Sequence, residues 1–235
     1  MPEKKLKSRI ALITGASDGI GKSVAIKFSM EGAHTILLSK NKKKLIETEE
    51  IITKHNGTCT LVHLNLKELD KIDQLGYTIF KKWKKLDIFV SCAGILGNLS
   101  PIDHIMPKLW DDVMTINFTA NYRLIRSLNA LLKQSDAGRA IFVTSNSVKY
   151  KEAYWGCYAA SKAALNNLVF AYAKECEKTK VKVNLISPGE INTKLRRKAY
   201  PGIDPKNWKE PNEITDSFLK LAEPNCKHNG ELINL

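Results

Sequence analysis

The chain has 235 residues, 43% of them hydrophobic, and a formal net charge of +13. That length fits one α/β domain over 1–235 with enough apolar residues for a sizeable core. No run of ~18 apolar residues is present, so no membrane-spanning helix is expected. The charged start Met1-Pro2-Glu3-Lys4-Lys5-Leu6-Lys7 lacks an apolar stretch of signal-peptide length. Cys59, Cys92, Cys157, Cys176 and Cys226 are odd in number and lack metal-ligand spacing, so reduced thiols in a cytoplasmic protein are expected and no metal.

The first predicted element is a strand over 9–14, from the run Ile10-Ala11-Leu12-Ile13. Thr14-Gly15-Ala16-Ser17-Asp18-Gly19-Ile20-Gly21 follows and opens a helix over 20–31, with Val24, Ala25 and Phe28 on one face. Strand, glycine turn and helix form a cradle for a pyrophosphate: the glycines let the backbone approach the ligand, and the helix N-terminus offers free N–H groups and a partial positive charge. The spacing is G-x-x-x-G-x-G, and a plain strand-to-helix turn is the alternative reading. A strand over 34–39 ends at Ser39-Lys40-Asn41 and precedes a helix over 41–54. A strand over 59–64 reaches Asn65 and Leu66, before a helix over 67–83. A strand over 87–91 leads into Ser91-Cys92-Ala93-Gly94, and a long helix over 107–133 carries Asn117. A strand over 139–145 ends on Ser145, a helix over 157–178 carries Tyr158 and Lys162, and a strand over 181–187 ends before Pro188, Gly189 and Thr193. The segment 190–211, with Pro201, Gly202, Pro205 and Pro211, reads as a loop with a short helix. A helix over 212–222 and a strand over 231–234 complete the chain.

Short apolar strands alternating with helices predict a single-domain, Rossmann-like, doubly wound parallel sheet of about seven strands with helices on both faces. Ligands of such sheets bind beyond the carboxyl ends of the strands, where the strand order reverses. Thr14, Ser39, Asn65, Ser91, Ser145 and Ser187 all fall at or just past predicted strand ends.

Tyr158 and Lys162 are four residues apart on a predicted helix, so their side chains share a face. A free phenol titrates only near pH ~10, and an ammonium beside it favours the phenolate and lowers that pKa. Tyr158 is thereby a candidate to give a proton to a carbonyl oxygen or take one from an alcohol. An ordinary helix face remains the alternative.

Together these motifs resemble the short-chain dehydrogenase/reductases of the standard soluble type. The T-G-x-x-x-G-x-G turn at Thr14–Gly21 and the Y-x-x-x-K at Tyr158–Lys162 match, and Ser145, thirteen residues before the tyrosine, stands where that family has its catalytic serine. Asn117 matches its active-site asparagine, and Ser187-Pro188-Gly189 with Thr193 matches its P-G-x-x-x-T segment beside the nicotinamide. Ser91-Cys92-Ala93-Gly94 replaces the usual N-N-A-G, which leaves backbone contacts at Ala93 and Gly94 as the ones expected there. The A-S-D-G-I-G turn and the short C-terminus are similar to the bacterial YciK-like oxidoreductases within the family.

The resemblance implies an NAD(P)(H)-dependent oxidoreductase that interconverts a carbonyl and an alcohol. Ser145 then orients the substrate oxygen, and Tyr158 is the general acid or base. Lys162 lowers the pKa of Tyr158 and holds the nicotinamide ribose, and Asn117 supports a water that links Lys162 to solvent. A locally bonded asparagine is the alternative at Asn117, and Ser147 and Tyr154 compete for the roles of Ser145 and Tyr158. The expected cofactor contacts are Gly15, Ser17, Asp18, Gly19, Ile20 and Gly21 in the turn, then Ser39 and Lys40. Asn65, Leu66, Ala93 and Gly94 follow, and Tyr158, Lys162, Pro188, Gly189 and Thr193 complete the set. NAD enzymes usually place an acid at the end of the second strand. Ser39 and Lys40 stand there instead and favour NADP(H), while Asp18 argues the other way and keeps NAD(H) possible. The 190–211 loop is expected over the nicotinamide, and its shortness predicts an open cleft. A homodimer or homotetramer, paired through 107–133 and 157–178, is likewise implied.

The positive charge points to a second class, a catalytically idle dinucleotide-binding or nucleic-acid-binding protein on the same fold. The lysines cluster at Lys40, Lys42, Lys43 and Lys44, and at Lys81, Lys82, Lys84 and Lys85, but also run along the whole chain. No nucleic-acid-binding signature accompanies them, so solvated helix faces are expected, with neither nucleic acid nor membrane as partner. An Asn117, Ser145, Tyr158 and Lys162 set favours the enzyme, because a pure binder needs no proton-transfer group.

Overall fold

The computed structural model describes residues 4–150 and 152–235. Seven strands form one parallel sheet: β1 (Ile10–Thr14), β2 (His34–Ser39), β3 (Thr58–His63), β4 (Ile88–Ser91), β5 (Arg139–Val143), β6 (Lys182–Ser187) and β7 (Leu232–Asn234). The order is β3-β2-β1-β4-β5-β6-β7, so the chain reverses direction across the sheet between β1 and β4. In register, Ile10 pairs with His34 and Ala11 with Ile88.

The helices are α1 (Gly19–Met30), α2 (Lys42–Lys54), α3 (Leu69–Trp83), α4 (Pro107–Met114), α5 (Ala120–Lys133), α6 (Ser147–Tyr150), α7 (Gly156–Glu175), α8 (Lys194–Ala199) and α9 (Thr215–Ala222). Alternate strand residues feed two separate cores. Leu12 of β1 packs with the residues of α3, α5 and α7, whereas Ala11 and Ile13 pack with those of α1, α2 and α9. Strands buried on both faces account for the continuous apolar runs of the sequence. At the closest approach of α3 to α5, a Cβ on Gly76 would stand 2.0 Å from the Ser127 carbonyl oxygen. The Ser127 hydroxyl accepts from the Gly76 N–H there at 2.9 Å.

The expected single helix over 107–133 is three pieces. A π-helical stretch, Thr115–Thr119, joins α4 to α5 and carries Asn117. The fifth strand ends at Val143, so Thr144 and Ser145 lie beyond it in the loop that leads to α6. Thr14, Ser39, Ser91 and Ser187 are the last residues of β1, β2, β4 and β6, all on one rim. No helix among the described residues is long and apolar enough to cross a membrane.

Candidate active site

A cleft of 880 Å³ runs along that rim, over the point where the strand order reverses. Its floor under one arm is the glycine turn between β1 and α1. Gly15 and Gly19 have φ of +68° and +51°, conformations that a side chain disfavours. A Cβ at Gly21 would sit 2.4 Å from the Gly15 carbonyl oxygen, so this turn closes onto itself only with glycine there. The Ala93 N–H donates to the Thr14 hydroxyl at 3.2 Å, locking the end of β4 beside the turn. The start of α1 at Ile20 and Gly21 thus lines the cleft together with half-buried Ala93 and Gly94, which suits a pyrophosphate.

At the outer end of this arm the Ser17 and Ser39 hydroxyls are hydrogen-bonded at 2.7 Å, and the Asn41 N–H donates to the Ser39 hydroxyl at 3.2 Å. Lys40 is exposed at the rim, and Asn65 and Leu66 complete the wall. Asp18 does not present a bare charge here. Its carboxylate caps α1 by accepting from the Gly19 N–H at 2.9 Å and is paired with Lys44 and, at 3.4 Å, with Lys194. Burial alone would raise its pKa, but the bonds from Lys44, Gly19 and Lys194 outweigh that and hold it below the usual carboxylate range.

The second arm holds the candidate chemistry. Ser145, Tyr158 and Lys162 all line the cleft, as do Pro188, Gly189 and Thr193. Tyr158 and Lys162 sit on one face of α7, as their spacing requires. The Lys162 ammonium donates to the Val143 carbonyl at 2.9 Å and lies 5.9 Å from the centre of the Tyr158 ring. Burial raises the Tyr158 pKa to about 12, and the Ser145 hydroxyl pulls it in the opposite direction. Burial also lowers the Lys162 pKa to about 8. The Tyr158 pKa is thus governed here by burial of the phenol rather than by the Lys162 ammonium, one of whose N–H groups is taken by the Val143 carbonyl.

Asn117 is not on the cleft wall but one layer behind it, fully buried. Its side-chain oxygen accepts from the Ile95 N–H and its amide donates to the Ile95 carbonyl, both at 2.9 Å, and to the Ser161 hydroxyl at 3.0 Å. These partners are 22 and 44 residues away, so the local-bonding alternative does not apply. Of the competing residues, Tyr154 is 59% exposed and does not line the cleft. Ser147 does line it, but its hydroxyl is buried. Cys157 is a buried thiol off the wall.

Several wall residues carry no local sequence signal. Trp155, just before α7, packs against Tyr158 and against Tyr200 at the end of α8. The Lys198 ammonium donates to the Gly97 carbonyl at 2.6 Å and to the Asn98 side chain at 3.2 Å. These bonds tie α8 of the 190–211 segment to the loop after β4 at the cleft wall. Thr193 caps α8 by accepting from the Arg196 N–H and touches the turn where a Gly19 Cβ would stand. Among the described residues, no group of three or more His, Cys, Asp or Glu side chains is placed to hold a metal.

The profile of the short chain dehydrogenase family matches residues 9–204. The chain belongs to this family. It is 36% identical over 219 residues to the Escherichia coli oxidoreductase YciK, covering 92% of this chain and 86% of the relative. A Shigella flexneri short chain dehydrogenase complexed with NADP superposes with a TM-score of 0.95 at 34% identity, over 99% of this chain and 98% of that one. An Escherichia coli short chain dehydrogenase complexed with NADPH gives 0.94 at 33% identity, over 100% and 99%. The likeness to the YciK-like branch, expected from the A-S-D-G-I-G turn, holds over nearly the whole chain.

Proposed function

We propose that this short chain dehydrogenase reduces a carbonyl to an alcohol, or the reverse, with NADP(H). The reading is carried by one observation: Ser145 and Tyr158 face a common space in the cleft, beside the backbone cradle that a dinucleotide requires. Three things support NADP(H) over NAD(H). Similar structures were solved with NADP or NADPH. β2 ends in a serine backed by a second hydroxyl and followed by Lys40. Asp18, the acid that argued the other way, is neutralised by Lys44 and Lys194.

The dinucleotide, when bound, supplies or accepts the hydride. The chain supplies the proton. At neutral pH a phenol with a pKa of about 12 is protonated, so Tyr158 is ready as a general acid toward the carbonyl oxygen. Ser145 donates to the same oxygen and fixes its position. Lys162 uses one of its three N–H donors on Val143 and has two left for a ribose hydroxyl. Asn117 acts as a positioning residue, holding the Ile95 backbone against Ser161 of α7. Alcohol oxidation runs the same proton transfer in reverse, with the Tyr158 phenolate as base.

The test follows NADPH absorbance across a panel of aldehydes and ketones. Carbonyl-dependent oxidation of NADPH is expected, and its absence across the panel overturns the reading. The same reading pairs copies of the chain through α4, α5 and α7, whose exposed Trp110, Tyr122 and Phe170 leave apolar surface for a partner. Sedimentation should return a dimer or tetramer, and a monomer at micromolar concentration contradicts it.

A further inference from the structure

We propose that the substrate arm of the cleft takes an aldehyde or ketone whose body is a flat aromatic ring. This rests on the carbonyl reading above and names its substrate class. Leu96, Trp155, Tyr158 and Ala199 form a small apolar cluster separate from both cores, with Leu195 and Tyr200 packed against it. All six residues line the cleft. The Trp155 ring stands edge-on to Tyr158 at 5.8 Å between centroids and tilted to Tyr200 at 5.7 Å. Rings in this arrangement offer edges and faces to another ring, because aromatic pairs prefer offset or edge-to-face contact. Tyr158 belongs to the cluster, so its phenol and Ser145 mark the inner end of this arm. A carbonyl attached directly to a ring then reaches the acid while the ring meets the apolar wall.

Charged groups flank this wall. Arg196 is paired with Glu190, and its guanidinium lies 4.4 Å from the Tyr200 ring and 5.1 Å from that of Trp208. Lys198 is held by the Gly97 carbonyl and Asn98. Lys194 is paired with Asp18. Lys198 has only neutral partners there, so its charge is not cancelled, and the Glu152 carboxylate stands on the same wall. The aromatic wall, not these charges, defines the body of the ligand.

Two ketones of matched skeleton separate shape from apolarity: acetophenone and cyclohexyl methyl ketone, of which the saturated one is the more apolar. Their binding to the protein loaded with NADP⁺, which cannot reduce them, is measured by calorimetry. Acetophenone should bind about two- to tenfold more tightly, the equivalent of the ~0.5–1.5 kcal/mol of an aromatic pair. Tyr200→Leu should erase that preference without changing NADP⁺ affinity. Equal or tighter binding of the saturated ketone, no binding of either, or a preference intact in Tyr200→Leu overturns the proposal. NADPH oxidation by saturated ketones without an aromatic preference would sink this inference alone. Aromatic binding without turnover of any carbonyl would sink the reaction and leave the binding class standing.

Discussion

The two arms of the cleft are built in different ways. The dinucleotide arm is mostly backbone: Gly15, Gly19 and Gly21 are glycine because the turn has positive φ or no room for a Cβ, and Gly15 and Gly21 lie against the Ala93 and Gly15 main chains. The substrate arm is mostly side chain: Trp155, Tyr200, Lys198 and Leu96 come from three separated segments and meet only in the fold. A backbone-built arm tolerates one cofactor shape and leaves a compact motif in the sequence. An arm built from side chains can change its ligand by substitution and leaves no motif. Tyr158 and Lys162 belong to both, standing where the arms join.

The largest effect should come from breaking that junction. Tyr158→Phe removes only the phenolic oxygen, so the ring contact to Trp155 and the packing of α7 survive. General acid catalysis typically contributes ~10²–10⁴-fold, and kcat for carbonyl reduction should fall by about that much. The Kd for NADPH, which the dinucleotide arm sets, should stay within about twofold of wild type, a difference of only ~0.4 kcal/mol. Near-normal turnover in the mutant removes Tyr158 from the chemistry. A large loss of NADPH affinity instead shows that the arms do not act separately.

A second substitution confines the effect to the dinucleotide arm. Ser39→Asp keeps an acceptor for the Asn41 N–H and the Ser17 hydroxyl, so the turn after β2 is preserved. Its carboxylate would lie against the 2′-phosphate of NADP(H) and accept from the 2′-hydroxyl of NAD(H). Like-charge juxtaposition at a binding site costs several kcal/mol, so the preference should reverse by roughly a hundredfold or more. Dissociation constants of both dinucleotides for wild type and mutant measure it. Lys40 contributes electrostatically, so the wild-type preference should weaken as salt rises. A wild type that already prefers NAD(H) overturns the assignment.

How far the molecule was legible follows the same division. All seven strands and the parallel, doubly wound plan were readable, because strands buried on both faces leave apolar runs that local pattern exposes. The glycine turn and the Tyr158–Lys162 pair were readable because their spacing is a geometric requirement. The π-helical stretch at Thr115–Thr119 was not: one widened turn leaves the apolar periodicity of the flanking helices nearly unchanged. Nor was the Lys198 tie to Gly97, which joins residues 101 positions apart, or the pairing of Lys44 and Lys194 with Asp18. Asp18 read as an argument against NADP(H) because charge was visible in the sequence and its neutralisation was not. The weight of burial on the Tyr158 pKa was hidden for a related reason. The spacing to Lys162 could be counted, but burial of the phenol and the Lys162 bond to the Val143 carbonyl depend on the packed fold.

The smallest effect is a titration, and it tests whether Lys162 serves the joined arms through its charge. Burial lowers its pKa to about 8 from an ordinary 10.5. The ammonium is therefore present below pH 8 and lost above it, while Tyr158 keeps its proton until about 12. If the charge matters, reductive kcat/KM should be flat below pH 8. Above it the rate should fall along a one-proton limb of about tenfold per pH unit. Tyr158 cannot cause that limb, because loss of a general acid would begin only near its own, much higher pKa. Lys162→Arg separates charge from proton release, since a guanidinium stays charged throughout this range. The variant should lose the limb at pH 8 even if bulk at this buried position lowers its absolute rate. A limb that persists in Lys162→Arg belongs to another group, and a wild-type profile flat to pH 10 shows that the ammonium charge is not required.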